Sequence, residues 1–181
     1  MKSLSRLSLF GREHLPELLL GAVLLWFLFS PVENRGLQAL SHFGYLSSHG
    51  MTIAEHLSSD DHWTMHNRKT LKESGAIVYE PYNRFPITSF AMIRGAAEIG
   101  GDQISTRIGA ARFLMRLFWI AAAWVSFLTL SRITRHPLAS AVGVLLSFST
   151  QYLLFYSEMI FNDVPTLFGA VLIVHGMVLY E

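Results

Sequence analysis

The sequence YEPYNRFP at residues 79–86 is the densest mixture of aromatic, charged and proline residues in the chain. It lies inside a mostly polar segment, residues 33–112, that separates one strongly apolar run from three more. Pro81 and Pro86 restrict the backbone within this stretch. Apolar runs with the composition of membrane spans therefore surround one large hydrophilic segment, and we expect any chemistry to take place there.

The composition is that of a membrane protein. The chain is 51% hydrophobic and 15% charged, whereas an ordinary soluble domain has about 25% charged residues. The net charge is +1, which argues against nucleic acid as a partner. The chain has no cysteine, so disulfides, thiolate nucleophiles and cysteine-based zinc sites are excluded.

The apolar runs predict an all-α, polytopic membrane protein with about four transmembrane helices. The first run resembles a signal peptide, but no small-x-small cleavage site follows it, so we interpret it as a retained signal anchor. It can be extended back to Leu15, towards the roughly 20 residues that a span needs. The predicted spans are Leu18–Val32, Phe113–Ile133, Leu138–Tyr156 and Val164–Leu179.

This pattern divides the chain into three parts. Residues 1–32 form a cytoplasmic tail and the first transmembrane helix, 33–112 form an exterior loop, and 113–181 hold three further spans. Within the loop, the residue pattern predicts an amphipathic helix on the membrane surface at Met51–Leu57. A second short helix is predicted around Trp63–Leu71 and ends at Gly75.

Two further loop segments are predicted beyond Gly75. Ile77–Tyr79 is expected to be extended. Pro86–Ile99 is apolar enough for a buried or interfacial helix closed by two glycines, and its Arg94 and Glu98, one turn apart, argue against a membrane crossing.

The distribution of basic residues predicts the topology. Short segments rich in Lys and Arg stay in the cytoplasm. Both the N-terminus and the turn holding Arg132 and Arg135 qualify. The loop 33–112 and the Glu158–Asp163 turn then lie together on the non-cytoplasmic side of the bacterial inner membrane or an equivalent membrane.

Carboxylates in this arrangement are the first candidates for chemistry. Asp163 stands at the junction of two spans, where acidic residues are often functional; the alternative is a solvated turn. Glu80 is a candidate base or ligand, and Arg84 suits phosphate oxygens. The alternative for both is a local ion pair between them.

Histidines and aromatic residues of the loop have two interpretations each. His62 and His66 would share a helical face, as in some metal sites, but solvated surface histidines are the preferred interpretation. Aromatic side chains of the loop can stack on sugar rings or form the interfacial aromatic belt. We prefer the belt for Tyr45 and Trp63 and leave both open for Tyr79 and Tyr82.

The motifs resemble those of the N-terminal part of C-type glycosyltransferases, the membrane enzymes that include protein O-mannosyltransferases and aminoarabinose transferases of lipid A. A first span is followed by a surface helix, GMTIAEHL (50–57). A Glu/Pro-rich motif, YEPYNRFPI (79–87), precedes a membrane-associated helix. AARFL (110–114) is similar to the family's entry to a span. SFS (147–149), YSE (156–158) and NDVP (162–165) resemble its span–turn–span with an acidic residue.

The resemblance implies transfer of a sugar from a polyprenyl phosphate in the outer leaflet to an acceptor hydroxyl. Asp163 and Glu80 match acidic positions that act in catalysis or bind a metal in relatives, so a divalent metal is one option. Arg84 and Arg112 are the candidates for binding the donor phosphate, because charge grows on the leaving group. Tyr82 and Asn83, within the same motif, are further candidates for substrate binding.

The chain departs from the family where relatives carry a catalytic Asp before the surface helix. Here the sequence reads SSHG at residues 47–50. His49 can replace the carboxylate as base, since imidazole titrates near neutral pH. Alternatively Glu55, Asp60 or Asp61 takes over, or the protein is a catalytically altered relative. We favour His49.

Relatives run to several hundred residues, so the chain is expected to correspond to their N-terminal part. Such a part alone would lack the later helices that complete a lipid groove, and could be inactive by itself. The leading hypothesis predicts that His49, Glu80 and Asp163 converge in one exterior cavity. The alternative, a non-catalytic membrane protein whose exterior loop binds a partner protein, predicts that they are scattered and solvated.

Overall fold

The computed structural model describes residues 14–30, 42–57, 66–70, 75, 77–81, 87–150, 154, 156–157 and 159–180. For residues 42–44, 66–70, 77 and 79–81 the backbone alone is described. This part of the chain is predominantly helical, as the apolar patterning predicts, with one small sheet. Its elements are α1 (Leu15–Phe29), α2 (His42–Glu55), β1 (His66–Thr70), β2 (Ile77–Pro81), α3 (Ile87–Ile99), α4 (Ile104–Thr134), α5 (Pro137–Phe148) and α6 (Asp163–Tyr180).

Among the described residues, two helices are long and apolar enough, by length and composition, to cross a membrane: α4 with 31 residues and α6 with 18. In α6 only 6% of the most apolar window is buried within the chain, and its exposed side chains include Leu172, Ile173 and Met177. An apolar surface of this kind suits contact with lipid chains better than contact with water. The helix agrees with the predicted span Val164–Leu179.

The other two apolar helices are shorter. α1 has 15 residues and α5 has 12, which at 1.5 Å per residue gives about 22 and about 18 Å, against a hydrocarbon core of about 30 Å. The predicted extension of α1 back to Leu15 is confirmed. The prediction of one continuous helix over Leu138–Tyr156 is wrong, because α5 ends at Phe148.

Hydroxyl side chains mark the end of α5. The Ser149 hydroxyl donates to the Leu146 carbonyl at 3.4 Å, and the Thr150 amide donates to the Ser147 carbonyl at 3.5 Å. A hydroxyl that donates to a nearby backbone carbonyl, as that of Ser149 does, competes with the regular hydrogen bonds of a helix. The local polarity of residues 147–150 therefore outweighs the apolar character of the run as a whole.

A tight turn connects α4 to α5. Arg135 has a φ of 56°, and its amide donates to the Ser131 carbonyl at 3.0 Å, which is the left-handed ending common at helix C-termini. Pro137 then begins α5, where the missing amide proton costs nothing. Arg132, Arg135 and His136 are all exposed, so the predicted basic turn is confirmed; the N-terminal tail lies outside the described residues.

The two strands form an antiparallel pair in which His66 lies opposite Pro81 and Thr70 opposite Ile77. The extended segment predicted at Ile77–Tyr79 is confirmed, but the helix predicted around Trp63–Leu71 is wrong over residues 66–70. β-branched and aromatic residues of β2 favour a strand, and a strand requires a partner for its backbone groups. Gly75, with a φ of +67°, belongs to the connection between the strands rather than to a helix end.

The chain divides into two compact units. The helical unit comprises residues 1–31, 119–154 and 167–181, and the loop unit comprises residues 32–118 and 155–166. In the helical unit, the Trp119 ring centroid lies 4.5 Å from that of Phe27 and 5.4 Å from that of Phe148. In the loop unit, α2 packs against α3 and lies beside β1. The candidate residues that the structure describes fall in the loop unit.

Candidate functional site

The apolar face of α2 forms part of the core of the loop unit. Three of the predicted apolar positions, Met51, Ile53 and Ala54, lie on α2, and the fourth, Leu57, follows its end; all four are at most 3% exposed. They are covered by protein, so the prediction that this face rests on the membrane surface is wrong. The helix also begins at His42 rather than near Met51. From α3, Phe90, Ile93 and Ala97 are likewise buried.

The segment 159–162 packs directly on α2. The Ile160 amide donates to the hydroxyl of the buried Ser47 at 3.3 Å, a contact between residues 113 positions apart. At Gly50, an added Cβ would lie 2.0 Å from the Ile160 carbonyl oxygen. The absence of a side chain at residue 50 therefore permits the close approach of α2 to this segment.

His49 lies on α2 beside the same segment and is half-buried. Its ring is nearly parallel to that of Tyr45, with 5.9 Å between centroids and 7° between planes. The Phe161 ring lies 6.1 Å away at 31°, and Phe161 in turn meets the edge of Phe90 at 5.8 Å. The imidazole is thus held in an aromatic cluster, and Phe161 of that cluster precedes Asp163 by two positions in the sequence.

Asp163 is the first residue of α6 and is exposed. A carboxylate in this position is stabilised by the positive end of the helix dipole. The preceding Asn162 is buried; its backbone carbonyl accepts the Thr166 amide at 2.9 Å, and its side-chain amide donates to the Thr166 hydroxyl at 3.3 Å. The backbone that carries Asp163 is therefore fixed on both sides.

Arg112 lies on α4 and is 2% exposed. Arg116, one helical turn further along, is also 2% exposed, and residues four apart share one helix face. Arg112 was predicted from the sequence as a candidate for binding the donor phosphate, whereas Arg116 was not. The sequence feature that could have identified Arg116 is its spacing of four residues from Arg112, at the polar end of a long apolar helix.

Several predicted site residues lie outside what the structure describes. Tyr82, Asn83, Arg84, Asp60, Asp61 and Glu158 are outside the described residues. Glu80 lies in β2 opposite Asn67, with its backbone alone described. The convergence of Glu80 with His49 and Asp163 therefore stays a prediction.

The described residues of the loop unit contain two ion pairs. The Arg94 guanidinium contacts the Glu98 carboxylate at 2.8 Å. It also donates to the carbonyl of Leu57, just after α2. Arg107 of α4 lies 3.5 Å from Glu55 of α2. Because Glu55 is engaged in this pair, it is a weaker candidate than His49 for replacing the usual carboxylate.

No group of three or more His, Asp or Glu residues placed to hold a metal ion occurs in the described ranges. His66 lies in a strand, where residues four apart are separated by about 13 Å along the chain. His66 is therefore not on a helix, so the prediction that it shares a helical face with His62 is wrong at His66. His62 lies outside the described residues.

Comparisons of the chain with protein-family models, curated proteins and solved structures give no significant match. The resemblance to C-type glycosyltransferases stays a hypothesis that depends on the motifs of the chain itself.

Proposed function

We propose that the chain is a membrane glycosyltransferase, or the N-terminal part of one, that transfers a sugar from a polyprenyl-phosphate donor to an acceptor hydroxyl. The observation that carries the proposal is the packing of α2 on residues 159–162. This packing holds His49 next to the segment that leads into Asp163. These are two of the three residues that the leading hypothesis requires to converge.

The proposed reaction assigns roles to three of the candidate residues. His49 accepts the proton of the acceptor hydroxyl as general base, and Asp163 orients that hydroxyl or the imidazolium that forms. The acceptor oxygen then bonds to the anomeric carbon with inversion, and the bond from that carbon to the phosphate oxygen breaks. The lipid phosphate leaves with the electron pair, and Arg84 stabilises its charge. The other candidate, Arg112, is 2% exposed and is not open to a lipid phosphate in this structure.

The membrane arrangement that goes with this reaction has four crossings of the inner membrane or its equivalent. The N-terminus and the Arg132–Arg135 turn are cytoplasmic, and the loop 33–112 is not. The length and apolar composition of α4 and α6 support this arrangement, as does the exposed basic turn. The short helices α1 and α5 would cross together with residues that flank them, in a thinned bilayer.

The alternative, a non-catalytic protein whose loop binds a partner, requires the candidate residues to be scattered. The half-buried position of His49 beside Phe161 counts against this alternative. The exposed position of Asp163 is compatible with either function. We therefore prefer the enzyme.

The test is a transfer assay with the full chain reconstituted in liposomes. Two donors are used, a polyprenyl-phosphate mannose and a polyprenyl-phosphate aminoarabinose, and transfer is measured from release of the lipid phosphate. We expect His49→Gln to lower the rate by about 100-fold or more, which is typical for loss of a general base. Asp163→Asn is also expected to lower the rate of transfer.

Asp102→Asn is the matched control, because Asp102 is an exposed carboxylate of the loop unit and has no role in the proposed reaction. This variant is expected to keep the wild-type rate. Release of lipid phosphate that is equal in wild type, His49→Gln and Asp163→Asn would contradict the assignment. Absence of any release with both donors would contradict transfer from them by this chain.

A further inference from the structure

Tyr45 and His49 form a parallel aromatic pair on one face of α2. They are four residues apart, the spacing that places side chains next to each other on a helix. Their centroid separation of 5.9 Å and interplanar angle of 7° describe an offset stack, one of the preferred arrangements of aromatic rings. Tyr45 itself is 66% exposed, so burial of its own surface does not account for its position.

Phe161 restrains the imidazole from another direction. Its ring is 6.1 Å from that of His49 and tilted by 31°, and it is itself 4% exposed and packed against Phe90. The imidazole thus lies beside one ring that is anchored in the core of the loop unit and beside one exposed ring on its own helix. Removing Tyr45 would leave the core intact while freeing one side of the imidazole.

We propose that Tyr45 is a positioning residue that holds the His49 imidazole in one orientation beside residues 159–163. This inference rests on the proposed function in that it assumes that the orientation of His49 matters for transfer. It assigns Tyr45 to the site rather than to an aromatic belt at the membrane interface. The stacking ring, and not the hydroxyl, does the positioning.

The first test examines the geometry without any assay of transfer. The full chain is produced in detergent micelles with isotope-labelled histidine, and the His49 signals are assigned by their loss in His49→Gln. In wild type and Tyr45→Phe, the ring current of residue 45 is expected to shift the His49 ring protons upfield. In Tyr45→Leu that shift is lost, and modification of His49 by diethyl pyrocarbonate becomes faster.

The second test separates positioning from general damage. In the transfer assay, Tyr45→Leu is expected to lower kcat about tenfold, the size expected when an aromatic pair contact is lost, with KM changed less than about twofold. Tyr45→Phe is expected to restore the wild-type kcat. Tyr180→Leu, which replaces an exposed tyrosine at the end of α6, is the control and is expected to leave both constants unchanged.

The two proposals fail in different ways. If His49 signals and reactivity are the same in Tyr45→Leu as in wild type, the positioning role is wrong, whatever the activity. If transfer is present and Tyr45→Leu keeps the wild-type kcat, that role is also wrong while the proposed function stands. If the signals change as expected but no variant and no wild type transfers sugar, the proposed function fails and the structural effect of Tyr45 on His49 remains.

Discussion

At the scale of single residues, Gly50 is the position where the packing of the loop unit depends most on the absence of a side chain. A Cβ there would overlap the backbone carbonyl of Ile160, at 2.0 Å. A backbone atom cannot move aside as a flexible side chain can, so α2 and the 159–162 segment would have to separate. That separation would also stretch the hydrogen bond from the Ile160 amide to Ser47.

We therefore predict that Gly50→Ala destabilises the protein by about 1–3 kcal/mol, the usual cost of overpacking. Gly95→Ala is the matched control: it is also a helical glycine, on α3, and a Cβ there meets nothing within 4 Å. That variant is expected to be neutral or up to about 1 kcal/mol more stable, because alanine is the better helix former. Unfolding in detergent, followed by circular dichroism, measures both.

Equal stability of the two alanine variants would show that α2 does not pack on residues 159–162. The same comparison bears on the site, because the assignment of His49 depends on this packing. A loss of stability in Gly50→Ala alone would support the geometry independently of any substrate.

At the scale of helices and strands, one polar contact joins α4 to α6 within the helical unit. The Thr129 hydroxyl donates to the Val125 carbonyl at 2.7 Å and lies 2.9 Å from His175 Nδ1. Which of the two atoms is the donor in the contact between Thr129 and His175 depends on the tautomer of the imidazole. Beside this contact the two helices leave a largely apolar cavity of about 320 Å³.

We predict that Thr129→Val weakens the association of α4 with α6 by about 0.6–1.7 kcal/mol, the range found for hydrogen bonds between membrane helices. A double-mutant cycle with His175→Leu should give a coupling energy of similar size. Ser126→Ala is the control, because Ser126 lines the cavity next to the pair. Unfolding by added dodecyl sulfate, followed as loss of helicity, is the measurement, and strict additivity of the two variants would rule out the contact.

An element with local sequence signals could be predicted, whereas an element that depends on a partner strand could not. α3 was expected at Pro86–Ile99 and is found at Ile87–Ile99, because its apolar spacing and the glycines after it are local signals. Gly101, with a φ of +81°, ends the helix in the conformation that glycine adopts most readily. β1 was missed because its own residues have little preference for a strand. It is a strand because it pairs with β2.

At the scale of the whole molecule, the charge pattern predicts which residues face which side of the membrane. The chain has no cysteine, so single cysteines can be introduced without a background. Asp102 in the loop unit and His136 in the basic turn are both exposed, which makes each suitable for labelling. The positive-inside rule places the basic turn in the cytoplasm.

We predict that Asp102→Cys reacts with a membrane-impermeant maleimide in intact spheroplasts, because residues 33–112 are proposed to be non-cytoplasmic. His136→Cys should react only after the membrane is permeabilised. A permeant maleimide, which should label both, controls for differences in thiol reactivity. The reverse pattern would contradict the proposed topology, and labelling of both from outside would contradict the number of crossings.

Composition and local spacing were enough to predict α3, α6, the basic turn before α5 and residues 113–133 of α4. Each of these depends on composition or spacing within a few turns of the chain. Composition and local spacing did not show that α4 begins at Ile104, within the segment predicted as loop. Contacts between distant segments were needed to show that the apolar face of α2 is buried in protein, that residues 66–70 form a strand, and that His49 lies beside Phe161. These features depend on contacts between distant segments, such as Ser47 with Ile160, 113 residues apart, and no local pattern specifies which distant segment will fill the space beside a helix.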